Sequence, residues 1–424
     1  MHELSQMIKD DMKPALGVTE PGAIAFAVAK ARSFTKGDIK KVNVAMNSGM
    51  YKNAFTCGIP NSNEVGNVFA AALGVVAGNA DKGLESLADV TPEDNVKAQE
   101  MIDQGKITVE LSGITSRIFI EATVETEEDK AIVTIRDSHT NITKIIVNDK
   151  VELETEDEKK TEEDGGEEES HSIHKYTLQQ LYDYVTTVDI EEIRFINEAY
   201  KVNLELFHEG LENPRTTFAR QLLAINKGKE VSDDEQKTAS LMCNAAIEAR
   251  VIGLDKPAMS ITGSGAHGII ATMPLYAAYK VNGYTEEQLL RATALSYLVC
   301  MYIKEYSGRL SAFCGCAIAA GSGMACALVY LRGGTVEMMA HTLNNMASSI
   351  TGMICDGGNQ GCTMKGVAAV DAAYKSVEFA MNGIYISEVH GINGNTPEET
   401  MRNMGLIASP GMVGTEKTIV EIFE

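Results

Sequence analysis

Five of the chain's eight cysteines fall in two short stretches, SAFCGCAIAAGSGMAC (311–326) and MICDGGNQGC (353–362). Cys314 and Cys316 open an uncharged helical pattern, while Cys355 and Cys362 flank DGGNQG. That hexapeptide has turn composition, where a thiol gains little from packing. Cys243, Cys300 and Cys326 sit inside apolar patterns and read as small core hydrophobes. Two thiols joined by a flexible loop, with a third from a distant helix end, can form a three-cysteine metal site. The spacing matches neither a zinc ribbon nor a ferredoxin run. Three thiolates suit a cubane cluster with one iron left open, and such an iron is a Lewis acid for a carboxylate or a leaving group. A purely structural zinc site fits this thiol count and spacing less well.

A second candidate is ITGSGAHGII (261–270), which contains G-x-G-x-x-G. No strand–helix–strand unit with a later acidic residue supports a dinucleotide site there. A glycine-rich turn entering a helix does expose backbone N–H groups suited to a carboxylate, which brings Ser264 and Gly265 into consideration. His267 within it is either a proton carrier or a loop histidine bonded to backbone.

A third constellation joins LGVTEPGA (16–23) to NSGMYKNAFTCGIPNSN (47–63). Thr19 and Glu20 beside Pro21 read as a helix start or as site residues. Tyr51, Lys52, Asn53 and Cys57 fall in what reads as a long glycine-bearing loop, a frequent place for function. His139, in RDSHTNI (136–142), ends a strand pattern and is either a turn residue or a further site group.

The elements that must carry these residues divide into three regions. Residues 1–105 read as a helix-rich segment packing on the core, with PGAIAFAVAKARSF helical and KKVNVAMN strand-like. Residues 106–174 hold ITVELS, RIFIEATVE, AIVTIRD and ITKIIVND, each alternating at period two, as in an antiparallel meander with one wet face. This region ends in the acidic run 152–170, with eleven carboxylates and two lysines, which reads as a solvated linker. Residues 175–424 are helical, and the later helices are apolar all round, as in the centre of a bundle. The expected class is α+β: a mainly helical core domain with a small inserted antiparallel β meander.

A formal net charge of −22 argues against nucleic-acid binding. The uncharged run 310–331 is long enough for a bilayer, but Ala, Gly, Ser and Cys dominate it, so it reads as a buried helix and no membrane is expected. The first residues lack a secretory pattern, and eight cysteines then fit a reducing cytoplasm. The uncharged helices could pack within one chain or across a homodimer.

LGVTEPGA, MYKNAFTCGIPNSNEVG, RDSHTNI, RLSAFCGCAIAAG and MICDGGNQGC together resemble the L-cysteine desulfidase family, related to the iron–sulfur L-serine dehydratases (alpha-chain type). The resemblance runs from about residue 10 to about 390, in order. It implies a [4Fe–4S] cluster held by three cysteines, no pyridoxal phosphate, and a small β-substituted L-amino acid as substrate. Cys355 and Cys362 match the second and third ligands. Cys316 is favoured as the first, because CAIAAG aligns better than CGCAIA, with Cys314 as the alternative. The implied reaction is β-elimination from cysteine or serine to pyruvate and ammonia, with Lys52, His267 or Cys57 as the base. Thr19, Glu20, Tyr51, Asn53, His139, Ser264 and Gly265 would then meet the substrate. Two features depart from the family: valine stands at position 18, where a proton-carrying cysteine is usual, and GSGAHG replaces an amide-rich motif. The alternative is a catalytically altered relative that binds a metabolite or senses a cluster.

Overall fold

The computed structural model describes residues 1–115, 117–155, 172–308 and 310–423. Eight strands are present among them: β1 (Lys13–Leu16), β2 (Ile39–Asn47), β3 (Ile107–Gly113), β4 (Phe119–Thr126), β5 (Lys130–Arg136), β6 (Ile142–Val147), β7 (Lys150–Glu154) and β8 (Pro257–Ser260). Six form one sheet in the order β3-β2-β4-β5-β6-β7. The expected meander is its antiparallel portion, β4 to β7. ITVELS, expected as the meander's first strand, is β3 and instead runs parallel to β2 at the opposite edge, so the sheet is mixed. The reason is the long helical connection between β2 and β3, which crosses over before returning to the sheet.

Period-two alternation buries one face. Val42, Val44, Met46, Ile120, Ala122, Val124, Ala131, Val133 and Ile135 are all inaccessible to solvent. The Thr19–Arg32 helix covers this face, lying against β4 and β5. The acidic run contributes residues 152–154 to β7, where every residue is exposed; from 156 onward it lies outside the described residues.

The C-terminal half is a helical bundle built around the helices Glu235–Val251, Gly265–Asn282, Glu286–Ser307, Gly321–Leu331 and Gly361–Met381. The 22-residue Glu286–Ser307 helix starts with a capping box between Thr285 and Gln288, which satisfies its first free N–H groups. The uncharged run 310–331 is broken, with a π-helical turn at Cys316–Ala320 feeding the Gly321–Leu331 helix. No helix among the described residues is long and apolar enough to cross a membrane.

Two connections bring the N-terminal segment onto the bundle. β1 pairs antiparallel with β8, Lys13 opposite Ser260 and Leu16 opposite Pro257. Thr19, just after β1, shares a cavity with Thr262 and Gly263, just after β8. Behind it, the Gly265–Asn282 helix packs hard on β8: a β-carbon on Gly268 would run into the Met259 carbonyl oxygen. The second connection is the Val413–Phe423 helix, which packs on the helix Ser48–Ala54. That short helix occupies what the sequence suggested was a loop; its residues follow β2 directly, and the turn of helix aims Lys52 and Asn53 inward.

Candidate active site

The two cysteine segments are joined backbone to backbone. Phe313 and Ile354 form an isolated antiparallel bridge. The Cys314 amide donates to the Met353 carbonyl at 3.0 Å, and the Cys355 amide to that of Ala312 at 2.6 Å. Cys316 opens the π-helical turn, and Cys362 lies in the first turn of the Gly361–Met381 helix. π-turns inside helical runs often mark functional positions. All eight thiols are free. Only Cys316, Cys355 and Cys362 are partly accessible; the other five are buried.

The thiols differ in acidity. The Cys314 thiol faces the Cys316 sulfur and holds it well below the usual thiol range; His267 and Arg250 add to this against the cost of burial. Cys314 is pushed up in consequence. Burial raises Cys362 to about 12, with the charges of Cys316 and Cys355 adding to it. These three sulfurs therefore lie close enough to feel one another. Among the described residues, however, no group of three or more His, Cys, Asp or Glu closes around a single metal ion.

Lys52 lies beneath the cysteine loops, 1 % exposed. Its Nζ donates to the carbonyls of Ser311 at 3.0 Å and Cys355 at 2.8 Å, and pairs with Glu416 at 2.9 Å. Burial disfavours its charge, but Cys355 and Glu416 outweigh burial and keep the ammonium above the ordinary lysine range. On the outer side, Lys365 pairs with Asp356 and staples the DGGNQG loop to the following helix.

Glu20 organises a third cluster. Its Oε2 accepts from Thr19 at 3.0 Å, and its Oε1 accepts from Asn53 Nδ2 at 2.9 Å. His139 Nε2 stands 3.7 Å from Oε1, an ion-pair separation rather than a hydrogen bond. Burial works against the carboxylate, yet His139, Asn53 and the charge of Arg250 bring Glu20 down to about 2. Thr19 and Glu20 do not cap the helix. Val18 is the N-cap and makes no side-chain cap bond, which leaves both polar groups for the interior.

His267 is held from behind. Thr262 Oγ1 lies 2.5 Å from its Nδ1, while the same hydroxyl donates to the Ile261 carbonyl at 2.8 Å. This contact orients the ring so that Nε2 faces the cysteines. The approach there is close: a β-carbon on Gly315 would sit 2.8 Å from His267 Nε2 and 3.0 Å from Lys304 Cδ. Thr262, Lys304, Thr19 and His139 line one cavity of about 940 Å³. Burial pushes the Lys304 ammonium down, opposed by the neighbouring thiols. A cavity of about 600 Å³ around Asn61, Glu209 and Arg215 includes none of these residues.

The sequence candidates thus fall into adjoining groups. Thr19, Glu20, Asn53 and His139 form one; Cys314, Cys316, Cys355, Cys362 and His267 form another. Lys52 lies below both. Cys57 is buried, donates to the Ala54 carbonyl at 3.4 Å, and is raised far above the usual thiol range by burial. The Tyr51 ring packs 5.6 Å from Phe55, which stacks on Phe423 of the C-terminal helix. Ser264 and Gly265 begin the Gly265–Asn282 helix, next to Arg250. Arg250, Lys304 and Glu416 escaped sequence reading. For Arg250 the available signal was a charged side chain among mostly small and apolar neighbours, as in CNAAIEARV.

Comparison with known proteins places this geometry in a family. Residues 81–421 match the model of the serine dehydratase alpha chain. A UPF0597 protein of Clostridium botulinum is 41 % identical over 424 residues, covering 98 % of this chain and 97 % of its own. A UPF0597 protein of Caldanaerobacter subterraneus is 36 % identical, with 99 % and 97 % covered. One from Bacteroides fragilis is 34 % identical, with 99 % and 97 % covered. The chain belongs to the serine dehydratase alpha chain family.

Proposed function

We propose that the chain is a cytoplasmic iron–sulfur lyase that eliminates the β-substituent of a small L-amino acid, cysteine or serine, to give pyruvate and ammonia. The observation that carries this reading is the meeting of Cys316, from one cysteine segment, with Cys355 and Cys362, from the other, as the partly accessible thiols of the chain. This donor set fits a [4Fe–4S] cluster. Three soft thiol donors are the type and number that would hold such a cluster with one iron left open. When bound, the cluster supplies a Lewis acid beside the substrate.

The chain's own groups supply the rest. Lys52 fixes the backbone of both cysteine segments through the Ser311 and Cys355 carbonyls. Of the three candidate bases, the geometry favours His267: Lys52 is committed to three partners, and the Cys57 thiol is held protonated. Nε2 takes the α-proton and returns it to the departing β-substituent, which leaves as hydrogen sulfide or water, and Thr262 holds the ring while the charge develops. The resulting aminoacrylate adds water to yield pyruvate and ammonia. Glu20, kept ionised, faces the substrate ammonium.

Position 18 supports a second reading. Val18 is buried against the cysteine loop: a β-carbon on Gly358 would lie 2.7 Å from Val18 Cγ1. A chain lacking a proton carrier there could bind its metabolite without turning it over. Anaerobic purification with iron and sulfide assays tests the lyase reading. About four irons per chain, with pyruvate released from cysteine or serine, is expected. Iron-free protein after anaerobic reconstitution overturns it, and a loaded cluster without pyruvate favours the second reading.

A further inference from the structure

Arg250 is a buried cation that forms no ion pair among the described residues. It lies near the end of the Glu235–Val251 helix and is 4 % exposed. Its Nε is buried without a hydrogen-bond partner. The carboxylate two residues before it on the same helix does not serve it. Glu248 accepts from the backbone amides of Thr217, Phe218 and Ala219 at 2.8, 3.1 and 2.8 Å, and so closes the start of the Phe218–Ile225 helix. Glu20 senses the Arg250 charge without forming an ion pair with it, and its two oxygens are engaged by Thr19 and Asn53. Removing a guanidinium from water without a partner is costly, so a chain that keeps one there is built for an anion that arrives later.

The surroundings indicate which anion. The Arg250 side chain packs against the first residue of the Gly265–Asn282 helix: a β-carbon on Gly265 would lie 2.7 Å from Arg250 Nε and 3.1 Å from its Cδ. That 18-residue helix has no side-chain cap at Ser264, so its first amides are open to an acceptor. Guanidinium and helix start together offer converging donors for two oxygens of one planar group. Near enough to feel the Arg250 charge stands the ionised Glu20. A fixed cation and a fixed anion, separate and both buried, match a zwitterion.

We infer that Arg250, with the open amides at Gly265, is the anchor for the α-carboxylate of the substrate amino acid, with Glu20 for its ammonium. The inference rests on the amino-acid lyase reading, but it can fail separately.

The test compares L-serine with L-serinamide, which lacks the carboxylate, by calorimetry on the full-length protein purified anaerobically. Wild type, Arg250→Gln and Arg250→Lys are measured, with thermal midpoint and iron content followed in parallel. The wild type is expected to prefer L-serine. Arg250→Gln should lose about ten- to hundredfold in L-serine affinity, the worth of a charge-assisted pair. Its serinamide binding and iron content should be unchanged, and its thermal midpoint no lower. Arg250→Lys should recover part of the affinity. Equal L-serine affinity in wild type and Arg250→Gln overturns the anchor and leaves the lyase reading standing. Loss of iron in Arg250→Gln with unchanged L-serine binding also overturns it, and assigns the charge to the cluster. A wild type that binds no L-serine overturns it outright. Binding lost in Arg250→Gln, in a protein that releases no pyruvate, supports the anchor while the lyase reading fails.

Discussion

Lys52 and Glu416 form a buried ion pair, Nζ to Oε2 at 2.9 Å, with side chains 0 % and 6 % exposed. The same ammonium also reaches the carbonyls of Ser311 and Cys355. One side chain thereby ties the Ser48–Ala54 helix, both cysteine segments and the C-terminal helix together. Lys52→Met leaves Glu416 charged and alone, and is expected to cost about 3–5 kcal/mol in denaturant titrations. The double variant Lys52→Met, Glu416→Leu should recover much of that loss. If it recovers activity too, Lys52 is a structural pin; if stability returns without activity, Lys52 takes part in the chemistry.

Glu20 makes stability depend on acid. Its folded-state pKa of about 2 lies below the ordinary 4.5, so it contributes stability at neutral pH that is lost as pH falls from about 4.5 to about 2. Glu20→Gln removes that contribution. Denaturation of both proteins at pH 7, 4 and 3 should show the gap between them narrowing as pH falls. A gap constant across this range contradicts a depressed carboxylate.

The hydroxyl of Thr262 fixes which nitrogen of His267 faces the cysteines. Thr262→Val frees Nδ1 and lets the ring turn or change tautomer. Pyruvate release should fall about a hundredfold or more in kcat, with little change in KM. An unaltered kcat excludes His267 as the base.

Gly315 leaves room for both His267 and Lys304, and its β-carbon would press on each. Gly315→Ala is expected to displace the imidazole and lower kcat about a hundredfold. Thermal denaturation distinguishes this from global unfolding, since the midpoint should move far less than the rate.

Val18→Cys places a thiol against the cysteine loop. Sulfide release from L-cysteine should rise in this variant if position 18 limits proton transfer. Unchanged sulfide release, with the cluster retained, assigns proton transfer to another group.

Much of the fold could be read from period alone. The alternation in FIEATVET, KAIVTIR and ITKIIV produced β4, β5 and β6, because one face of each had to be buried. The direction of β3 could not be read, since it depends on how the chain returns to the sheet, and local pattern carries no such information. SGMYKNA became helical because its inward residues are claimed by partners hundreds of positions away, Lys52 by Glu416 above all. The same limit hid Arg250. Its type and its mostly small and apolar neighbours were visible, but its forming no ion pair among the described residues is a property of the folded neighbourhood. The cysteine spacing was legible as a possible metal site because the thiols flank turn residues. Their joining through the Phe313–Ile354 bridge was not.

The bond between Lys52 and Glu416 spans 364 positions of sequence (416 − 52). Contacts of such separation carry a high loop-closure cost and slow the search for the native state. The β1–β8 pairing, with Lys13 opposite Ser260, adds a second. A centre suspended from these closures has its thiols exposed while the chain is still searching. Oxygen present during synthesis would then meet the sulfurs before these closures form, and folding under oxygen is expected to yield less competent protein than folding without it.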